Sequence, residues 1–309
     1  MTLPAASRPI RPGTGAVVTV GTFDGVHRGH HEVLEDLARR ADASGRQSVL
    51  VTFDPHPLRI VRPAEAPQLL TPTAEKKLLL AESGVHHAVI LEFTKELQHL
   101  SARDFVTRIL LGHLDMRELV IGYDHGFGRG REGSAEMMQE LGRELGFAVD
   151  VVDAVRLEGE PVSSSRIRRA LAAGDVREAA LCLGRPYSLQ GVVVHGQQRG
   201  RELGFPTANM SIADPEKLLP LAGIYAVFGW VGETRVPGLL HLGPRPTFPG
   251  DAPTVELYLM DFSGDLYGRE LRVDLRHRLR EIRPYESAEA LVAQMQADEV
   301  AGRALLGMA

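Results

Sequence analysis

Cysteine and lysine are both scarce in this chain of 309 residues. Cys182 is the one cysteine, in the apolar run AALCLG, so no intrachain disulfide can form and no cysteine cluster can hold zinc. Only four of the 35 basic residues are lysines, and none of them follows a glycine. The motif G-x-x-x-x-G-K-[S/T] is absent, which excludes a P-loop nucleotide site. Any phosphoryl transfer must therefore use a different cradle.

Long apolar runs are missing as well. No stretch approaches the roughly 18 apolar residues of a membrane span, and residues 1–13, MTLPAASRPIRPG, lack the apolar core of a signal peptide. We therefore expect a cytoplasmic protein without a membrane partner. A net charge of −5 gives no reason to expect nucleic-acid binding. The composition does not determine the oligomeric state, and a homo-oligomer is one possibility.

The first half of the chain alternates strand and helix signals. Apolar runs at 16–20, 47–53, 87–91, 118–124 and 147–152 predict five strands. Amphipathic stretches separate them, and in TPTAEKKLLLAESG we expect Thr71 to cap the helix and Pro72 to be its first residue. Strands separated by helices predict a doubly wound parallel sheet of the α/β class.

The pattern changes near residue 184. Residues 165–184 predict two short helices that break at Gly174, and the segments after Tyr187 are β-like, with glycine and proline turns between them. They predict a small antiparallel barrel or sandwich, followed by an amphipathic helix at 287–307. The length favours two domains, and we place them at 1–184 and 185–309.

Two histidines stand where the first strand meets the first helix. His27, Gly29 and His30 form an H-x-G-H tetrad within VTVGTFDGVHRGHHEVLEDL. A helix N-terminus attracts anions, and two imidazoles add donors where charge builds up on an α-phosphate. Gly29 lets a flat base approach the backbone. The alternative interpretation is a helix start with two solvated histidines.

Three further segments follow later in this half. TFDPHP places His56 at the end of the second strand, and residues 121–133 form a glycine- and arginine-rich loop after the fourth. SSSRIRRAL offers hydroxyls and then Arg166, Arg168 and Arg169, which suit β- and γ-phosphates. Taken alone, this last segment is more often a serine-capped basic surface helix. Four such segments at one sheet edge favour a nucleotide site.

G-x-FDGVHxGH, F-x-PHP, the glycine-rich loop and S-S-x-R-I-R together resemble the adenylyltransferase module of bacterial bifunctional riboflavin kinase/FMN adenylyltransferases. The resemblance implies a nucleotidyltransferase-like sheet that transfers AMP from ATP to FMN and releases pyrophosphate. It implies that His27 and His30 are the catalytic pair that contacts phosphate. The residues that it implies for nucleotide and flavin binding are Gly21, Phe23, Gly29, Asp124, Ser164, Ser165 and Arg168.

The chain departs from the family pattern at two points of this module. The family's loop commonly reads G-x-D/N-F-x-F-G, whereas GYDHGFG has His125 and Gly126 after Asp124. This exchange changes the packing expected against the flavin or the base. The serine motif commonly ends in threonine, and Ser165 keeps the hydroxyl.

A second group of polar residues lies in GRELGFPTANMS and TVELYLMDF. Thr207 and Asn209 are two apart, so in an extended segment they share one side, and their oxygens are ligands that Mg²⁺ accepts. Period two puts Glu256 on the polar face of a strand, where it can take a proton from a hydroxyl. The alternatives are a polar turn for PTAN and a solvent-facing glutamate.

GRELGFPTAN, GIYAV, LGPRPTF, VELYLMDF and DLYGREL resemble, in this order, the riboflavin kinase module of the same family. The resemblance implies a Greek-key β-barrel with a C-terminal helix that phosphorylates riboflavin with Mg²⁺-ATP. It implies that Thr207 and Asn209 contact Mg²⁺-ATP and that Glu256 activates the ribityl hydroxyl. The further ATP-binding residues that it implies are Gly200, Gly204 and Pro206. His241 stands where the family commonly has the asparagine of N-I-G-x-R-P-T-F.

The leading hypothesis is an enzyme that makes FMN from riboflavin and then FAD, with ATP as co-substrate at both steps. One alternative is a riboflavin kinase whose adenylyltransferase half is weak, given His125 and Gly126. Another is a flavin-binding regulator without catalysis, which would need neither the histidine pair nor Glu256.

Overall fold

A computed structural model describes residues 13–123, 126, 133–196, 204–244 and 254–308. The chain divides into two compact units, Met1–Ser164 and Ser165–Ala309. No helix in these described ranges is long and apolar enough to span a membrane.

The first unit is built on a parallel sheet. Its five described strands are β1 (Ala16–Val20), β2 (Gln47–Asp54), β3 (His87–Glu92), β4 (Met116–Gly122) and β5 (Ala148–Val152). They lie in the order β3-β2-β1-β4-β5. All of β1 is buried, as expected for a strand with both faces covered. The predicted doubly wound sheet is confirmed.

Helices connect these strands. They are α1 (Arg28–Ser44), α2 (Pro57–Val61), α3 (Thr73–Ala81), α4 (Lys95–Gln98), α5 (Ala102–Phe105) and α6 (Ala135–Leu145). A π-helical turn, Val106–Leu111, continues α5, and a short ribbon of β6 (Arg156–Leu157) and β7 (Glu160–Pro161) follows the sheet. The helical period predicts that Val33, Leu34, Leu37 and Ala38 share one face of α1. The first three are buried, whereas Ala38 is half-buried and Ala41 is buried in its place.

A closed antiparallel barrel forms the second unit. In the described residues its strands are β8 (Tyr187–Val194), β9 (Thr207–Ile212), β10 (Gly223–Val231), β11 (Thr234–Gly243), β12 (Thr254–Leu259) and β13 (Glu270–Arg280). They close in the order β10-β11-β12-β9-β8-β13. The predicted barrel is confirmed, but β9 carries no apolar run and does not stand out as a strand in the sequence. Its pairing with β8 and β12 makes it one.

Three helices complete the described part of the chain. Helices α7 (Ser164–Ala172) and α8 (Val176–Leu183) break at Gly174, whose φ is 77°. Helix α9 (Ala288–Leu305) begins after Ser287, as predicted, and follows the barrel. Helix α8 packs against β8 and β13, so this helix, although it precedes residue 184, associates with the barrel. The boundary at 184/185 stays a prediction.

Candidate active sites

The turn between β1 and α1 has a strained backbone. Phe23 and Val26 adopt φ values of 47° and 39°, in the left-handed region that costs a non-glycine residue on the order of 1–3 kcal/mol. Gly21 gives the Phe23 ring room, because a Cβ there would lie 3.0 Å from Cε2 of that ring. Such strain persists only where neighbouring groups hold the chain in place, and it concentrates at functional sites.

Asp24 is the main anchor of this turn. Its buried carboxylate accepts the backbone N–H groups of Leu70 at 3.2 Å and Thr71 at 3.0 Å. The Thr71 hydroxyl lies 3.3 Å from Asp24 Oδ1 and accepts the N–H of Gly25 at 2.8 Å. The prediction that Thr71 caps α3 is therefore wrong. Helix α3 begins at Thr73 after Pro72, and the Thr71 hydroxyl instead satisfies a buried N–H of the turn.

His27 and His30 cap the start of α1 reciprocally. The N–H of His30 donates to Nδ1 of His27, and the N–H of His27 donates to Nδ1 of His30, both at 3.3 Å. The two rings stack with centroids 3.6 Å apart. Because each Nδ1 is an acceptor, each neutral imidazole carries its proton on Nε2. The pair therefore has two Nε2–H donors. The histidines do cap the helix, but His27 is buried rather than solvated.

Gly29 gives the ring of His27 its space. A Cβ at this position would lie 3.2 Å from Cε1 and 3.3 Å from Nδ1 of His27, and 3.6 Å from the carbonyl oxygen of Val162. The Phe23 ring packs on the other histidine, with its centroid 4.9 Å from that of His30. Gly29 and Phe23 thus both help to hold the imidazoles in place.

The histidine turn lies at the point of the sheet where ligands bind in doubly wound folds. The chain runs from β1 towards β2 and β3 on one side and from β4 to β5 on the other, so the carboxyl ends of β1 and β4 flank the switch point. His56 follows β2 and caps α2, accepting the N–H of Leu58 at 3.2 Å. The loop after β4, with Asp124 and His125, lies outside the described residues.

The residues of the motif SSSRIRR have different contacts in the structure. The Ser164 hydroxyl donates to the carbonyl oxygen of Asp24 at 2.8 Å, which ties it to the histidine turn. Ser165 and Arg168 follow in the first two turns of α7. Arg166 is buried and pairs with Glu178 at 2.7 Å. Its contact is that of a structural ion pair.

The second group of polar residues meets across two neighbouring barrel strands, β9 and β12. Glu256 of β12 lies directly opposite Asn209 of β9, and Tyr258 lies opposite Thr207. The burial of β12 alternates, with Val255, Leu257 and Leu259 buried. Directly opposed residues in an antiparallel pair share one face, so Thr207, Asn209 and Glu256 lie on the face opposite the buried leucines. The predicted face is the observed one.

Glu256 is held by threonine hydroxyls. The Thr207 hydroxyl donates to Oε2 at 3.4 Å, and Thr254 Oγ1 lies 3.2 Å from Oε1. Because the Thr207 proton is directed at the carboxylate, its lone pairs can face a cation. Among the described residues, no group of three or more His, Cys, Asp or Glu side chains could hold a metal. Neutral oxygens of Thr207 and Asn209, with water and phosphate oxygens, fit Mg²⁺.

Gly196 closes against Asn209. A Cβ on Gly196 would lie 2.0 Å from Asn209 Nδ2, so a side chain at this position would displace the Asn209 amide. Gly204, with a φ of 82°, and Pro206 lead into β9. Gly200 lies outside the described residues, as do residues 245–248 of the LGPRPTF segment.

Three residues join the sites without having been predicted there. Thr71 holds the histidine turn, Thr254 contacts Glu256, and His241 of β11 lies directly opposite Glu256. In the sequence, His241 differs from other residues of its segment only as a departure from the family pattern. The strand register places His241 in the site, because His241 and Glu256 occupy facing positions on neighbouring strands. That register cannot be read from the sequence around His241.

Two family models match the chain: FAD synthetase over residues 11–166 and riboflavin kinase over residues 183–306. The chain is 41% identical over 292 residues to a bifunctional riboflavin kinase/FMN adenylyltransferase of Pseudomonas fluorescens, covering 94% of this chain and 93% of the relative. It is 37% identical over 299 residues to the protein of that name from Escherichia coli K12, covering 96% and 95%.

A solved structure shares the fold. A crystal structure described as a macrolide-efflux protein from Streptococcus pneumoniae is similar to this chain, with a TM-score of 0.85 and 30% identity, over 97% of this chain and 95% of that one. Its description names efflux, whereas both family models and the curated relatives above name flavin enzymes. The functional argument therefore follows the motifs that the chain itself carries.

Proposed function

The chain belongs to the family of bifunctional riboflavin kinase/FMN adenylyltransferases, and from this premise we propose that its histidine turn performs adenylyl transfer while Glu256 serves the kinase reaction. The family resemblance predicted from the motifs is confirmed. The enzyme phosphorylates riboflavin to FMN and adenylylates FMN to FAD, using ATP in both steps. The observation that carries the assignment of the histidines is their reciprocal cap, which fixes two Nε2–H donors at the switch point of the sheet.

Adenylyl transfer needs charge stabilisation more than proton transfer. A phosphate oxygen of FMN attacks the α-phosphorus of ATP, a new P–O bond forms, and the bond to pyrophosphate breaks. Negative charge grows on the α-phosphate oxygens, where the Nε2–H groups of His27 and His30 donate hydrogen bonds. We assign Ser164, Ser165 and Arg168 to the outgoing phosphates, because hydroxyls at a helix start and an arginine bind such oxygens. Gly21, Phe23 and Gly29 shape the pocket floor.

Phosphorylation of riboflavin needs a base. Glu256 takes the proton of the terminal ribityl hydroxyl, whose oxygen then attacks the γ-phosphorus, and ADP leaves. Thr207 and Thr254 orient the carboxylate through the contacts given above. Thr207 and Asn209 are the residues that would hold Mg²⁺, which when bound neutralises phosphate charge. A cytoplasmic location, a requirement for Mg²⁺ and a homo-oligomer stay predictions.

Replacement of one histidine tests the adenylyltransferase site. We expect His30→Ala to lower FAD formation from FMN and ATP by about 10²–10³-fold, the loss typical of a removed transition-state donor. Riboflavin kinase activity, measured in the same preparation, should be unchanged. His113→Ala is the matched control, since His113 is exposed in the same unit. Normal FAD formation by His30→Ala would reject the assignment.

Replacement of the glutamate tests the kinase site and separates catalysis from flavin storage. We expect Glu256→Gln to abolish FMN formation while riboflavin still binds, because the amide keeps the shape of the side chain but cannot accept the proton. Glu233→Gln, at an exposed position between β10 and β11, is the control. Unchanged FMN output from Glu256→Gln would show that another group is the base.

A further inference from the structure

Lys76 is a buried lysine beside the histidine turn. Its side chain projects from α3, the residue is 6% exposed, and its Nζ donates to the carbonyl oxygen of Thr22 at 2.9 Å. Lysine is almost never buried unless it is paired. Burial lowers the pKa of Lys76, while the negative charges of Asp24 and Asp54 act in the opposite direction.

The Thr22 carbonyl is the point where the chain leaves the sheet. The N–H of Gly21 still donates to the carbonyl oxygen of Val51 in the neighbouring strand, at 3.0 Å. The Thr22 carbonyl oxygen then accepts two side-chain donors, the Thr52 hydroxyl at 3.0 Å and Lys76 Nζ. The next residue, Phe23, already has a positive φ. Lys76 therefore holds Thr22, the residue that leads into the strained turn, through its carbonyl oxygen.

Lys76 also supplies positive charge at a buried acid. Asp24 is 1% exposed, and the hydrogen-bond donors to its carboxylate given above are neutral. A buried carboxylate is costly without a compensating charge. It would also repel the phosphates of the substrates, and a nearby ammonium reduces both effects.

We propose that Lys76 is a positioning residue for adenylyl transfer, which holds the Thr22 carbonyl and offsets the charge of Asp24 so that His27 and His30 keep their reciprocal cap. The proposal rests on the proposed function of the histidine turn. Lys76 acts through the turn. The kinase reaction uses residues of the other unit and should not depend on Lys76.

Two replacements separate the parts played by the donor and the charge. Lys76→Met removes both and should lower kcat for FAD formation by about 100-fold, the loss that a shift of about 1 Å in catalytic groups can produce. Lys76→Gln keeps a donor and should recover about a tenth of the wild-type kcat. Lys77→Met is the matched control, because Lys77 is the exposed neighbour on the same helix, and it should behave as wild type.

A double-mutant cycle distinguishes positioning from a loss of folded protein. If Lys76 acts through the reciprocal cap, Lys76→Met should lower FAD formation less than threefold in a His30→Ala background, because the cap that it positions is already broken there. A loss of folded protein would lower FAD formation about 100-fold in both backgrounds and would overturn the proposal. Should Lys76→Met fail to fold, Lys76→Gln enters the same cycle, and its loss of about tenfold should vanish likewise.

The controls keep this inference apart from the assignment of the site. Riboflavin kinase activity should stay at the wild-type rate in every variant. Full FAD formation by Lys76→Met, with His30→Ala inactive, would reject the role of Lys76 alone. Full FAD formation by His30→Ala would reject the proposed site itself.

Discussion

Gly29→Ala should separate the activity of the first unit from its stability. The new Cβ would lie 3.2–3.3 Å from two atoms of the His27 ring, so the ring must move by a few tenths of an ångström. A misplacement of about 1 Å costs about 10²-fold in rate, and we therefore expect kcat for FAD formation to fall about tenfold. Stability should not fall, because alanine is favoured over glycine inside a helix by up to about 1 kcal/mol.

The assay compares kcat and KM for ATP in FAD formation with thermal unfolding of the same preparation. A displaced ring lowers kcat, whereas a base that packs on Gly29 would make the substitution raise the KM for ATP. Glu35→Ala, on the exposed side of α1, is the control within the same helix. Wild-type kcat together with wild-type KM would refute the reasoning, and so would a loss of activity that simply follows a loss of folded protein.

Two further predictions concern the second unit. Gly196→Ala would bring a Cβ within 2.0 Å of Asn209 Nδ2, so FMN formation should fall by about 100-fold while FAD formation from supplied FMN persists; wild-type kinase activity would contradict this. Burial, then the charges of Arg177 and Arg276, lower the pKa of His277 from 6.5. The folded state thus binds fewer protons than the unfolded state, so His277 destabilises the fold as pH falls below about 6.5. His277→Gln should flatten this part of the pH–stability curve measured by denaturant unfolding, and an unchanged slope would contradict it.

Periodicity was sufficient for most of the fold. Strands β1, β2 and β4 lie inside the sheet and are largely buried on both faces, so they are apolar runs that the sequence displays directly. The edge strands β3 and β5 are less buried but still show as runs of mostly apolar residues. Strand β9 is different, because Thr207, Asn209 and Ser211 alternate with less polar residues in a short segment that matches a turn as well as a strand. Pairing with its two neighbours in the closed barrel makes this segment a strand. The local sequence does not show which strands these neighbours are.

The candidate sites divide in the same way. The tetrad at His27 and His30 is a local motif, and its cap can be expected from its place before a helix. Thr71 precedes a proline and a helix, so the sequence predicts a cap, whereas the structure uses its hydroxyl on a turn 46 residues away. Lys76 had a usable signal, because it lies four residues before buried Leu80 and hence on the buried face of α3.

The central claim is that the chain has two independent active sites, one for each reaction. Its most direct test mixes His30→Ala protein with Glu256→Gln protein and follows the products from riboflavin, ATP and Mg²⁺ over time. We predict that Glu256→Gln alone forms neither FMN nor FAD from riboflavin, and that His30→Ala alone accumulates FMN and forms FAD about 10²–10³-fold more slowly than the wild type. We predict that the mixture forms FAD readily because released FMN reaches the intact site of the other variant. A mixture that accumulates FMN and forms FAD no faster than His30→Ala alone would contradict the account, and so would Glu256→Gln protein that forms no FAD from supplied FMN.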